Sequence, residues 1–165
     1  MAIKDALLAE FDHEMATTRR VLERVPEDAG DWTPHTKSMP LVRLAGHLAE
    51  LPGLGLATLK ADAFDVASEE YRPYRFGSRA EALALFDDYV KKLRAAIEAT
   101  DDERFLQSWN FLRNGQVMFA APRVAAYRTF FMNHQIHHRG QLTVYLRLRD
   151  VPVPGVYGPS ADEPM

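Results

Sequence analysis

The residues best placed to do chemistry are three histidines at helical spacing. His134 and His138 stand in the run Asn133-His134-Gln135-Ile136-His137-His138-Arg139-Gly140-Gln141. Four residues of α-helix turn through about 400°, leaving the two rings about 40° apart on one face and one turn from each other, where they can grip one cation. The row Tyr127, Phe131, His134, His138, Leu142 (or Gln141), Tyr145 runs in steps of three and four, which turns both rings toward a core. His47 interrupts the row Leu44, Leu51, Leu54 in the same way. A buried imidazole without partners costs about 1–3 kcal/mol. A single such ring is most often a hydrogen-bonded core residue, whereas three on two helices favour a shared metal over a neutral polar network. His137 competes locally, being three residues from His134, but Phe131, His138 and Tyr145 keep a seven-residue phase that favours His138. His13 and His35 fall outside these rows.

Neutral imidazoles suit zinc or nickel first, with iron, cobalt or manganese after them, while calcium and magnesium prefer oxygen ligands. The chain has no cysteine, which removes thiolate ligands, disulfides and a cysteine nucleophile together. Three protein ligands leave a coordination position open, the arrangement of a catalytic rather than a structural site, and water held there is acidified toward neutral pH. Glu50, near one turn past His47, is a candidate base or acceptor for that ring, set against the plainer reading of a solvated carboxylate. Gln141, three residues past His138, is a candidate hydrogen-bond partner for a ligand or a bound molecule. Gly140 costs a helix interior about 1 kcal/mol relative to alanine, so a neighbouring helix or chain is expected to approach closely there.

The elements that must position these groups read as all-α. A first helix runs from Ile3 to Val25 on the face Leu7 or Leu8, Phe11, Met15, Leu22, Val25. A second starts near Ser38 to Pro40 and runs to about Leu59, with a bend expected where Pro52 cannot donate to the carbonyl of Leu48. The stretch from Ala61 to Gly77, with Glu69 and Glu70, reads as a long crossover connection. Ser78 and Glu81 form the S-x-x-E pattern of a capping box ahead of the stripe Leu83, Phe86, Val90, Leu93, Ile97. Asn114-Gly115, flanked by Phe111, Leu112, Val117 and Met118, is the signal of a small type I′ hairpin. A last helix is expected from Pro122 to about Arg149, with an irregular tail from Val156 onward.

With 165 residues, 47% of them hydrophobic, the chain supports one domain over 1–165 and is too short for two ordinary ones. Charged residues are 26% and net charge is −3, which argues against disorder and against nucleic acid as a partner. Asp5 and Glu10 interrupt the opening before any long apolar run, so no secretory signal is expected, and no window approaches the roughly 20 apolar residues of a membrane span. A cytoplasmic location with no membrane partner follows by default.

At these residues the chain resembles the DinB-like family, also called the DinB/YfiT metal-dependent hydrolase-like superfamily. The resemblance rests on Asp31 to Met39, on Leu44-Ala45-Gly46-His47-Leu48-Ala49-Glu50-Leu51-Pro52, on Asn133 to Leu142, and on Val156 to Asp162. It implies an up-down-down-up four-helix bundle, commonly a homodimer, with a metal held by His47, His134 and His138. It also implies a metal-dependent hydrolase or a transferase that uses a low-molecular-weight thiol, acting on a small molecule. A non-catalytic metal-binding protein associated with stress is the alternative.

Overall fold

The computed structural model describes residues 2–68 and 73–164. The apolar rows fold into helices, each with its stripe turned inward. Helix α1, Ile3–Leu22, buries Leu7, Phe11, Met15, Val21 and Leu22, and leaves Leu8 half-buried. Helix α2, Leu41–Lys60, buries Leu41, Leu44, Leu48, Leu51 and Leu59. Pro40 rather than Ser38 stands at its cap position, and no side chain caps it. Pro52 lies inside α2, and its missing N–H leaves the Leu48 carbonyl without its helical donor. Gln135, fully buried on the last helix, supplies the replacement: its Nε2 donates to the Leu48 carbonyl at 3.2 Å. The proline thus creates an acceptor that only a neighbouring helix can satisfy, one residue past His47 and one residue past His134.

Strand β1, Ala63–Asp65, follows α2, and helix α3, Arg79–Ala99, carries Phe86, Leu93 and Ile97 into the same core. Ser78 caps α3 as expected, accepting from the Glu81 amide at 3.2 Å, while the Glu81 carboxylate reaches back to the Gly77 amide at 2.8 Å. The reciprocal half of the box is therefore shifted by one residue. A short helix α4, Asp102–Leu106, leads into strands β2, Ser108–Arg113, and β3, Gln116–Pro122.

The fold is mostly helical, yet it is not all-α. The three strands form one sheet in the order β1-β2-β3, with β1 parallel to β2 and β2 antiparallel to β3. The hairpin is the one expected at Asn114-Gly115, where φ is +51° and +75°, the pair of left-handed residues that a type I′ turn requires. The stretch Ala61 to Gly77 was expected to be a plain connection, but it contributes β1, in which Phe64 pairs with Phe111. Asp65 ties that strand to the turn by accepting from the Asn114 and Gly115 amides at 3.1 and 2.7 Å. Glu69 and Glu70, in the same connection, lie outside the described residues.

The final helical stretch also departs from a uniform helix over Pro122 to Arg149. It is built of α5, Arg123–Ala126, a π-helical stretch, Tyr127–Met132, and α6, Asn133–Leu148. A π-helical turn holds more residues than an α-turn, so the phase read from Tyr127 onward slips before it reaches the histidines. The buried row of α6 is Gln135, Arg139, Leu142 and Leu146, and His134 and His138 sit beside it, half-buried. Arg139 is buried against Glu14 at 2.6 Å. It also donates to the Glu14 carbonyl at 3.1 Å and to the Tyr157 hydroxyl at 2.8 Å. Tyr157 in turn donates to Glu14 at 2.8 Å, so the tail, α1 and α6 share one polar network. Apart from its chain neighbours and the backbone of its own helix, Gly140 has no heavy atom within 4 Å of where a Cβ would sit. The close approach expected there occurs instead at Gly55, where a Cβ would lie 2.7 Å from Leu93 and 2.8 Å from Phe131.

Candidate metal centre

His47 comes from the middle of α2, while His134 and His138 lie one turn apart in the first half of α6. Their rings form a nearly equilateral group, with centroids 5.0 Å apart for His47 and His134, 4.7 Å for His47 and His138, and 4.6 Å for His134 and His138. Each offers a nitrogen within 4.8 Å of those of the other two. His47 Nε2 and His134 Nε2 are 3.2 Å apart. The remaining histidines stand elsewhere. His137 is exposed on the outer side of α6, His35 accepts the Lys37 amide within its own loop, and exposed His13 stacks on Tyr157.

The outer nitrogens decide what the inner ones can do. His47 Nδ1 lies 2.8 Å from Glu50 Oε1, His134 Nδ1 lies 3.3 Å from the Phe130 carbonyl, and His138 Nδ1 lies 2.6 Å from Gln141 Oε1. A carboxylate and a carbonyl only accept, so the proton of each neutral ring sits on Nδ1 and the Nε2 lone pair is left free. In His47 and His134 these lone pairs face each other across 3.2 Å. Two lone pairs at that separation repel unless a cation or a shared proton stands between them. Two zinc–nitrogen bonds of about 2.1 Å at an angle of about 90–110° place their nitrogens about 3.0–3.4 Å apart. The donor set therefore fits a divalent transition metal. Hydrogen bonds from ligand rings to outside acceptors are the usual means of fixing tautomer and orientation in such sites.

Protonation works in the same direction. Burial, together with the neighbouring rings, lowers the His134 pKa below the ordinary imidazole value. Burial likewise pushes His138 down to about 4, despite the opposing hydrogen bond to Gln141. Both rings are therefore neutral ligands at pH 7. Burial by itself would raise the Glu50 pKa, but hydrogen bonds from His47, the Tyr74 amide and Arg43 outweigh it and hold the carboxyl below its usual range. Glu50 is thus an ionised, half-buried group. Its Oε1 is shared by His47 and by Arg43 at 2.6 Å, and its Oε2 accepts the Tyr74 amide at 2.8 Å.

Beside the histidines lies a cavity of about 560 Å³, reached on the His47 and His134 side; His138 does not line it. Leu51 and Leu54 of α2 and Leu85 and Tyr89 of α3 form one wall. The other wall brings Phe64 from β1, Phe111 from β2 and Phe130 from the π-helical stretch. Phe111 and Phe130 stack at 4.7 Å, which joins the sheet to the residue whose carbonyl holds His134. The cavity wall and the π-helical stretch are the parts of the site that sequence reasoning missed. A π-helix leaves no mark in apolar periodicity, and β1 is three residues long. Gly53 on the cavity wall, where a Cβ would meet the Tyr89 ring at 3.0 Å, was the available hint of close packing.

Comparison with known proteins places this geometry in context. The sequence model of the DinB family matches residues 1–164. An uncharacterized protein, YrdA, of Bacillus subtilis (strain 168) is 28% identical over 164 residues, covering 96% of this chain and 90% of that protein. Among solved structures, a DinB-like protein from Bacillus cereus ATCC 10987 superposes with a TM-score of 0.74 at 23% identity, over 94% of this chain and 98% of the other. A second, the DinB-like protein YjoA from Bacillus subtilis, gives 0.69 at 19% identity, over 89% and 96%. These two likenesses establish a shared fold.

Proposed function

The chain belongs to the DinB family, and from that premise we propose that it is a metal-dependent enzyme in which His47, His134 and His138 hold one divalent ion. The reading takes residues 1–165 as one DinB-like unit whose long helices close as an up-down-down-up bundle, working as a homodimer on a small-molecule substrate. The observation that carries it is the meeting of the three rings, each offering a nitrogen within 4.8 Å of the others, while each Nδ1 is committed to an outside acceptor. Zinc or nickel suits the set best, then iron, cobalt or manganese.

Bound there, such an ion supplies Lewis acidity and lowers the pKa of a nucleophile, either water or a low-molecular-weight thiol, giving a hydrolase or a thiol S-transferase. The chain's own groups do the rest. Glu50 keeps the proton on His47 Nδ1 and, with three donors already on its carboxylate, acts as a positioning residue rather than as a free base. Gln141 holds the His138 ring, and the Phe130 carbonyl holds His134. The phenylalanines and leucines of the cavity keep water away from the face of the site that His47 and His134 present.

The test is a zinc and nickel titration of tag-free protein, followed by turnover of an activated ester without thiol and of an aryl halide with thiol. One equivalent should bind, and His138→Ala should lose at least about tenfold in affinity and all turnover while keeping its helical circular dichroism. Absence of metal binding by the folded wild type contradicts the proposal. Tight binding with no turnover in either assay leaves a non-catalytic metal protein.

A further inference from the structure

The composition of the cavity says what kind of molecule the site takes, and this step rests on the reading of the histidine cluster as the reacting centre. Among the described residues that line it, none is Lys or Arg, and Glu50 is the single carboxylate. The oxygens of that carboxylate already serve His47, Arg43 and the Tyr74 amide. An anion entering the cavity would lose its hydration against Phe64, Phe111, Phe130, Leu54 and Leu85 and, beyond an ion held at the histidine end, meet no cationic side chain among the described lining residues. A cation finds aromatic faces, which would attract it, but Arg43 already neutralises Glu50 and a divalent ion at the histidines repels a second positive charge. A flat apolar group faces neither cost. The stacked pair Phe111 and Phe130, with Phe64 stacked on Phe111 at 6.3 Å, forms a continuous aromatic wall. A volume of about 560 Å³ is in the range that encloses a drug-sized molecule.

We infer that the substrate of this site is an uncharged, largely apolar molecule that lays an aromatic or branched aliphatic group on the Phe64, Phe111 and Phe130 wall and turns its one polar, reactive end toward His47 and His134. Leu54 and Leu85 set the width of the opposite wall and so decide specificity.

Two fluorescent probes with one carbon skeleton test this: N-phenyl-1-naphthylamine, which is neutral, and 8-anilino-1-naphthalenesulfonate, which carries a sulfonate. Wild type should bind the neutral probe at one site with a blue-shifted emission, and the sulfonate at least about tenfold more weakly. Phenyltrimethylammonium should not displace the neutral probe. Leu85→Trp, which fills the cavity from a half-buried position, should weaken the neutral probe by at least about tenfold at unchanged helicity; Leu54→Trp gives the same reading if that variant does not fold. Leu85→Arg should reverse the preference toward the sulfonate. Equal or tighter sulfonate binding by wild type overturns the inference. So does neutral-probe binding that survives both tryptophan variants but is lost in Met118→Asp, because the probe would then sit on the exposed apolar residues of β3. Zinc titration of the same samples separates the two readings: neutral-probe binding without zinc binding supports the cavity's chemistry and removes the metal.

Discussion

At the scale of single residues, the account turns on which nitrogen of each imidazole carries the proton. Glu50 fixes that for His47, so Glu50→Gln should keep the fold and lower zinc affinity by about 10–100-fold, read by competition with a chromogenic chelator. The shifts of His134 and His138 make a second prediction, for metal-free protein. Both rings have folded pKa values below the ordinary 6.5, His138 at about 4, so the unfolded chain binds more protons in between. Stability contributed by these neutral rings is therefore present above about pH 6.5, falls as pH drops toward 4, and levels off below. A pH series of melting temperatures on chelated protein should show that decline, and His138→Ala should flatten it. The three histidines were legible in the sequence because two imidazoles four residues apart share a helix face and His47 interrupts the apolar row of α2. The Phe130 carbonyl and the engagement of Glu50 by Tyr74 and Arg43 were not, since no spacing rule reports a backbone acceptor or a contact across the fold.

At the scale of elements, the join between α2 and α6 depends on a vacancy in one helix filled by a side chain of the other. Gln135→Met should destabilise the protein by about 1–3 kcal/mol in urea denaturation, because it leaves the buried Leu48 carbonyl unpaired. In a Pro52→Ala background, where residue 52 regains an N–H for that carbonyl, the same change should cost clearly less, and a double-mutant cycle measures the difference. Simple additivity would mean that the proline and the glutamine are not coupled. Gly140, which has open space around its missing Cβ, should accept alanine with a gain of about 0.5–1 kcal/mol. A loss on making that change would indicate that a second chain packs there. Helix positions were readable from apolar periodicity, and the hairpin from Asn114-Gly115. The parallel partner β1 was not readable, because Phe64 and Phe111 lie far apart in the chain and three residues show no alternation. The π-helical stretch was hidden too, and it is the reason the buried row on α6 is Gln135, Arg139, Leu142 and Leu146.

At the scale of the whole molecule, helices and sheet border the histidine cluster and its cavity, and the tail braces α6 against α1. The sheet supplies the aromatic wall, and the buried pair Arg139 and Glu14 joins α6 to α1 and to Tyr157 of the tail. Among the described residues no helix is long and apolar enough to cross a membrane. Because the three histidines come from two helices, the binding energy of an ion held by them would also be stability for their packing, about 2.7 kcal/mol when free metal is 100 times its Kd. The central claim is that one cation sits among His47, His134 and His138. Anomalous diffraction from crystals of tag-free protein grown with zinc tests it most directly. The account predicts a single strong peak about 2.1 Å from the Nε2 atom of each of the three rings. A zinc-bound crystal with no peak at that position, or with the zinc on His137 and the surface, would contradict it.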